Sequence, residues 1–382
     1  MKNNRTFLDK LLDGAEVEWK PLKKVCNFIS TGKLNANAMD ENGIYPFFTC
    51  NEKPYKINNY AFDMEAILIS GNGSQVGHLN YFKGKFNAYQ RTYVIGEFDN
   101  NTLVMYLYHY LNFKLRDYIT INSKKGSVPY ITLPMLEKFE IPIPPLSVQT
   151  EIVRILDALT ALTSELTSEL TLRRKQYEYY REKLLSFDSL ERLNMGGAKK
   201  KLIDVAIYAK VRILADKLDK ENYVGVENLL QNKLGKTSSN YVPTDGAFIE
   251  YLPNDILIGN IRPYLRKIWL SDRKGGTNGD VLVIRLTDDN ILPRYLYHIL
   301  ANEHFFEYNI KYSKGAKMPR GDKAAILQYE FDVPSLEEQH RIVSILDKFE
   351  TLTNSITEGL PLAIEQNQKR YEYYRELLLN FS

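Results

Sequence analysis

Residues 147–187 read SVQTEIVRILDALTALTSELTSELTLRRKQYEYYREKLLSF. Taken alternately four and three apart, they give Ile152, Leu156, Leu159, Thr163, Leu166, Leu170, Arg173, Tyr177, Tyr180, Leu184 and Phe187. Only Thr163 and Arg173 interrupt the apolar stripe, and four-three spacing is the seam of a coiled coil. At about 1.5 Å per residue, some 40 residues make a rod of roughly 60 Å. Residues 335–381 repeat the pattern through Ile342, Leu346, Phe349, Thr353, Ile356 and Leu360. It resumes at Ile364, Asn367, Tyr371, Tyr374, Leu378 and Phe381.

The copies drift in register. Gln149 and Gln339 lie 190 residues apart, as do Asp157 and Asp347, whereas KQYEYYRE (175–182) and KRYEYYRE (369–376) lie 194 apart. Four extra residues therefore sit in the second copy, around Gly359-Leu-Pro361. A coiled coil absorbs four as a stutter, keeping the stripe on one face with local unwinding. Pro361 removes a backbone donor, which leaves two outcomes: a kinked rod, or a helix that breaks and resumes. Ser147 is the expected N-cap of the first helix, and Ser335-Leu-Glu-Glu338 reads as a capping box for the second.

Outside the helices the chain also repeats. Leu22 and Val25 recur as Leu202 and Val205, Ala66-Ile-Leu-Ile69 as Asp255-Ile-Leu-Ile258, and Val94-Ile95 as Val283-Ile284. Tyr106-Leu-Tyr-His109 recurs as Tyr295-Leu-Tyr-His298, and Lys125-Gly126 as Lys314-Gly315. The branched runs predict strands, and 103–115 predicts a helix. The fold class is α+β, a pseudo-two-fold internal repeat in which two similar globular domains alternate with two long helices. The boundaries are 1–146, with a short N-terminal helix at 5–14, then helix 147–188, domain 189–334 and helix 335–382. The expected seam comprises Ile152, Leu156, Leu159, Leu166, Leu170, Tyr177, Tyr180 and Leu184 against Ile342, Leu346, Phe349, Ile356, Tyr371, Tyr374 and Leu378. Chain order leaves the direction of pairing open; antiparallel packing gives two near-identical halves a two-fold axis.

The chain of 382 residues suits two or more domains, and 44% hydrophobic residues with mixed charge is an ordinary globular composition. No run approaches the ~20 apolar residues of a membrane span, and Met1-Lys-Asn-Asn-Arg5 lacks a signal-peptide core. Cys26 and Cys50 have neither CxxC spacing nor a nearby histidine cluster. No structural metal is expected, and a reducing cytoplasm fits. The net charge is only +3, so nucleic-acid binding has to come from local clusters.

Enzymatic signatures are thin. No GxGxxG or P-loop follows a strand, and no HExxH appears. His109 and His298 are equivalent positions on one apolar helix and read as structural. No catalytic residue is assigned. Asn and Gln pair with adenine, Arg with guanine, while Lys and backbone amides hold phosphates. The first domain concentrates such groups at Ser70, Asn72, Ser74 and Gln75, at Lys83, Lys85, Asn87, Gln90 and Arg91, and at Lys124, Lys125 and Ser127. The second does so at Asn260, Arg262, Arg266 and Lys267, at Arg273, Lys274, Thr277 and Asn278, and at Lys314, Lys317, Arg320 and Lys323. Similar scaffolds with different polar loops suit two reading heads for two sequences. Tyr179 and Tyr373 point away from the seam and are candidates for partner docking.

Two variable units, each followed by a helix opening with Pro145, Leu146, Gln149, Ile152, Val153, Ile155, Leu156 and Asp157, resemble the specificity subunit of type I restriction–modification systems. The second copy supplies Pro334, Leu336, Gln339, Ile342, Val343, Ile345, Leu346 and Asp347. Ile67-Leu-Ile-Ser70 with Gly77, and the Lys-Gly-Ser-Val128 loop, are also similar to that family. Gly279-Asp280 in place of Gln90-Arg91, and Lys314-Gly-Ala-Lys-Met318, depart from it. The resemblance implies two target-recognition domains, each reading half of a bipartite double-stranded DNA sequence. It implies antiparallel helices that act as a ruler for the unread spacer and dock two methyltransferase subunits. This chain would hold no cofactor; S-adenosylmethionine, ATP and Mg belong to partner subunits, among which restriction subunits with ATP-driven translocation can join. Two alternatives differ in class. One is the specificity component of a related enzyme whose methyltransferase and nuclease share a chain. The other is a two-headed coiled-coil adaptor that does not bind DNA and shows no salt-dependent affinity for it.

Overall fold

The computed structural model describes residues 7–122, 129–186, 198–355 and 357–381. The first unit carries helices α1 (Phe7–Leu12), α2 (Leu22–Val25), α3 (Val104–Asn122) and α4 (Leu133–Glu137). Its strands are β1 (Glu18–Pro21), β2 (Cys26–Thr31), β3 (Tyr45–Phe48), β4 (Tyr55–Ile57), β5 (Phe62–Ser70), β6 (Leu79–Ala88), β7 (Thr92–Phe98) and β8 (Glu140–Ile143). Six of them form one sheet in the order β2-β7-β5-β6-β3-β4, and β1 pairs antiparallel with β8. Side chains on a strand alternate between faces. Along β5, Ile67 and Ile69 enter one core with Tyr106, Leu107 and Leu111 of α3, while Ala66 and Leu68 enter another with Phe48, Phe86 and Val94. The branched run is thus buried on both sides, and each fully buried Ile or Leu contributes about 2 kcal/mol.

The second unit repeats the plan with β9 (Ala198–Lys201), α6 (Leu202–Val205) and β10 (Ala206–Tyr208). Then come β11 (Arg212–Leu214), β12 (Tyr223–Val224), β13 (Ala247–Tyr251), β14 (Ile256–Gly259), β15 (Ile268–Leu270), β16 (Gly275–Thr277) and β17 (Val281–Leu286). Helices α7 (Pro293–Leu300), α8 (Glu303–Lys311) and α9 (Lys323–Leu327) lead to β18 (Glu330–Val333), which pairs with β9. One sheet becomes two here, β10-β17-β14-β15 and β11-β13-β16-β12. The alternation persists: Ile256 and Ile258 face the helices with Ile284, and Leu257 faces the other core with Val283.

The first long helix, α5 (Leu146–Leu185), runs unbroken for 40 residues. It starts one residue before the expected cap. The N–H groups of Val148 and Gln149 both donate to the Pro145 carbonyl, so Ser147 lies inside the first turn. In the second copy, Ser335 caps α10 (Leu336–Asn354), its Oγ accepting from the Glu338 N–H at 3.3 Å, but only this half of the expected capping box forms, because the Glu338 carboxylate pairs with Arg341 instead.

The second rod breaks. Helix α11 (Gly359–Leu379) begins after a turn in which Ser355 Oγ accepts from the N–H groups of Thr357 and Glu358. Gly359 has φ +82, and a Cβ there would stand 2.6 Å from the Thr351 carbonyl oxygen. Pro361 sits in the first turn of α11, where a helix needs no N–H. Of the two outcomes, the four extra residues leave the helix as a turn; a stutter within a continuous helix does not occur.

Two compact units emerge, Met1–Glu165 with Glu365–Ser382, and Leu166–Ile364. Inside the first, Ile152 and Leu156 share a core with Leu378, and Asn367 Nδ2 donates to the Leu159 carbonyl at 2.7 Å and to Thr163 Oγ1 at 2.8 Å. Inside the second, Tyr177 and Tyr180 stack on Phe349, and Arg174 Nη2 donates to the Thr353 carbonyl. In both, numbering rises along one helix as it falls along the other, so the pairing is antiparallel. Leu159, Leu166, Leu170, Leu184, Tyr371 and Tyr374 are half-buried. Tyr180 departs from the expected core position: it is 43% exposed, because it covers Phe349 with only one ring face. Ile356 lies outside the described residues.

The shared motif residues anchor each helix to its sheet. Buried Gln149 accepts from the Leu103 N–H at 2.9 Å and donates to the carbonyls of Asn101 and Pro144. Gln339 repeats this with Leu292, Asn290 and Pro334. His109 Nε2 meets Asp157 at 2.8 Å and His298 Nε2 meets Asp347 at 2.9 Å. Tyr106 and Tyr295 donate to the carbonyls of Pro142 and Asp332.

Candidate nucleic-acid interface

In the first unit, loops converge where β5 ends. The Gly71 N–H donates to the Arg91 carbonyl, Gln90 N–H to Leu34, and Ile131 N–H to Gly71. The Cys50 thiol donates to Asn72 Oδ1 at 3.2 Å, and His78 Nε2 lies 3.3 Å from the Glu52 carbonyl. This face presents exposed Ser74, Gln90 and Arg91 with half-buried Asn72 and Gln75. Lys124, Lys125 and Ser127 lie outside the described residues. Lys83 and Lys85 are elsewhere, along β6 opposite Glu65 and Asp63, with the Lys85 ammonium over the Tyr60 ring.

In the second unit, the chain leaving β14 meets the 314–320 loop. The Arg262 N–H donates to the Pro319 carbonyl at 2.7 Å, and Gly321 N–H to Asn260. Lys314 and Arg320 exchange two backbone hydrogen bonds of 2.9 Å. Arg262 and Lys317 are exposed, and neither side chain has a hydrogen bond or ion pair among the described residues. Arg320 is held by Asp280 at 2.9 Å, Lys314 by Asp322 at 2.5 Å. Half-buried Asn278 accepts from the Asp280 N–H, and Lys323 opens α9.

Four candidates are scaffold residues. Ser70, Asn87, Asn260 and Thr277 are buried, so none reaches a duplex. Asn87 bonds Asn59 and the Ala88 N–H, and Thr277 Oγ1 donates to the Val224 carbonyl. Other cations already have internal partners: Arg266 with Glu303, Arg273 with Asp272 and Lys274 with Glu250. Lys267 donates to the Val226 carbonyl at 2.6 Å, and burial pushes its ammonium below the ordinary lysine value. Arg273 and Lys274 also sit at the far end of β14, beside Asn254 and Ser271. Sequence reasoning missed Lys233 and Glu303, which hold the Arg262 turn. The available signal was the absence of glycine where the first unit has Gly73 and Gly77.

Tyr179 and Tyr373 are exposed, and the Lys183 ammonium lies over the Tyr179 ring at 5.0 Å. Among the described residues, His298, Asp347 and Glu350 bring three metal-type ligands together. Arg294 already bonds both carboxylates at 2.8 Å, which makes this an ion-pair network. No helix among the described residues is long and apolar enough to cross a membrane.

One scaffold used twice, with different polar loops on the same sheet end and the same glutamine anchor to a long helix, defines a paired recognition module. The family model of the type I restriction modification DNA specificity domain matches residues 15–173 and 196–366. A Haemophilus influenzae protein assigned as a type I restriction enzyme specificity subunit is 40% identical over 100% of both chains. The EcoR124I/EcoR124II specificity subunit of Escherichia coli is 32% identical over 98% of this chain and 97% of its own. The fold is similar to the crystal structure of the type I restriction–modification S subunit from M. genitalium, with TM-score 0.58 at 15% identity, covering 99% of this chain and 96% of that one. This chain belongs to the type I restriction–modification DNA specificity family, and its function is DNA sequence recognition.

Proposed function

We propose that each globular unit reads one half of a bipartite DNA target, and that the paired helices set the unread spacer and dock two copies of a methyltransferase subunit. The partner carries S-adenosylmethionine and methylates adenine, and restriction subunits using ATP and Mg join it. This chain directs the chemistry and performs none. The observation that carries the reading is the repetition of one anchored scaffold with two different sets of polar loops. Loops at Asn72–Gln75 and Gln90–Arg91 face outward in one unit, and Arg262 with Lys317 in the other. Exposed Tyr179 and Tyr373 on the helices suit the docking of equivalent partners.

The test is a methylation map. The full chain is expressed with its methyltransferase partner in a methylation-free host, and modified adenines are located by single-molecule sequencing. A split motif with one methylated adenine in each half, on opposite strands, is expected. A complex that assembles yet yields no motif overturns the reading in favour of a protein adaptor.

A further inference from the structure

Seven non-glycine residues among those described have positive φ, and four of them lie in two adjoining loops of the second unit. Arg262 (φ 53) and Arg266 (φ 50) flank the short turn Pro263–Leu265, and Asn232 (φ 56) and Lys233 (φ 65) form the neighbouring loop. A left-handed L-residue is strained, and such strain persists only where the surroundings over-determine it. Here the surroundings are visible. The Asn232 N–H donates to the Leu265 carbonyl at 3.0 Å, and the Lys233 N–H to the Arg266 carbonyl at 2.9 Å. Glu303, in the first turn of α8, then ties the loops together: one oxygen meets Lys233 Nζ at 3.0 Å, the other Arg266 Nε at 2.7 Å. Lys233, only 14% exposed, also lies 3.6 Å from Glu178 of α5. Burial raises the Glu303 carboxyl, but the Lys233 and Arg266 charges outweigh it and hold it below its ordinary value.

The first unit needs no such clamp, because Gly73 and Gly77 take the positive φ in its corresponding loop without strain. What the clamp presents is Arg262, whose backbone is fixed by Pro319 and Leu265 and whose exposed guanidinium has no internal partner among the described residues. An arginine whose backbone is fixed and whose donor fork is unspent matches the paired acceptors O6 and N7 on a guanine edge.

We propose that Arg262 reads a guanine in the half-site of the second unit, and that Glu303 is a positioning residue that fixes the turn presenting it. This rests on the bipartite reading above. The test compares wild type, Arg262→Ala, Arg262→Lys and Glu303→Gln, each as the full chain with its methyltransferase partner, by methylation mapping and thermal melting. The expected wild-type motif has a guanine in the second unit's half. Arg262→Ala is expected to lose roughly tenfold or more discrimination at that one position, with the other half unchanged, and Arg262→Lys to retain part of it. Glu303→Gln is expected to blur the same position while the complex still assembles.

An unchanged motif in Arg262→Ala overturns the base contact while the bipartite reading stands. Glu303→Gln that lowers yield or melting temperature but leaves that position sharp overturns the positioning role. A wild-type complex with no split motif overturns this inference and the bipartite reading together.

Discussion

Gln149 accepts a hydrogen bond from the Leu103 N–H at 2.9 Å, and Gln339 accepts one from Leu292 at the same distance. Each glutamine amide also donates to two carbonyls, so one side chain satisfies three backbone groups at the junction of helix and sheet. Alanine at either position leaves these groups unpaired in a buried site. Each such group costs about 1–3 kcal/mol, and partial hydration keeps the sum at about 3 kcal/mol. Gln149→Ala and Gln339→Ala should each lower the unfolding free energy by that amount, seen as a lower denaturant midpoint with an unchanged m-value. An effect in one repeat but not the other would contradict the equivalence of the two anchors.

His109 and His298 are buried, and burial pushes both rings below their ordinary 6.5 despite the neighbouring Asp157 and Asp347. Each Nδ1 is buried with no partner among the described residues, so a second ring proton finds no acceptor. Unfolding returns each ring to about 6.5, so the unfolded chain binds more protons below that pH. Stability is therefore full above about 6.5, falls with pH through the window, and levels off below the depressed folded values. The slope is bounded by about 1.4 kcal/mol per pH unit for each histidine. His109→Gln and His298→Gln should each remove one such contribution, as measured by denaturant titrations across that window.

The repeat and the apolar stripes of the long helices were legible because they rest on local periodicity and on residues that recur in both halves, whereas the direction of pairing came from the symmetry of the repeat, and the first helix starts one residue before its expected cap. The sites were less so. Ser70, Asn87, Asn260 and Thr277 carry the right functional groups, yet strand ends bury them, and no local pattern distinguishes a polar group turned inward from one turned out. The pairing of Arg266 with Glu303 spans 37 residues and depends on two loops meeting, which periodicity does not encode. Tyr180 sits on the stripe but is left half in solvent, because among the described residues its one aromatic neighbour across the seam is Phe349.

The break in the second rod makes opposite forecasts for two adjacent residues. Gly359 at φ +82 approaches the carbonyls of Thr351 and Leu352 closely, whereas Pro361 occupies a turn that already lacks N–H partners. Gly359→Ala should cost about 1–2 kcal/mol from the left-handed conformation, and more if the α10 end cannot shift. Pro361→Ala should change stability by less than about 0.5 kcal/mol. Thermal melts of the two variants decide the matter; an equal loss in both would mean that the proline supports the turn as much as the glycine does.

Phosphate contacts proposed for the second unit would compete with its own acids. Lys317 has no internal partner among the described residues, but Arg320 is held by Asp280 at 2.9 Å. A free lysine that releases one counterion contributes nearly one unit to the slope of log affinity against log salt. Lys317→Ala should therefore reduce that slope by about one and weaken binding of all sequences alike. Asp280→Asn removes the competing carboxylate and frees the Arg320 guanidinium, so it should steepen the slope and tighten non-specific binding at low salt. The measurement is a salt titration of DNA affinity on the assembled complex, with matched specific and scrambled duplexes. If Asp280→Asn instead leaves the slope unchanged, Arg320 does not face the phosphates.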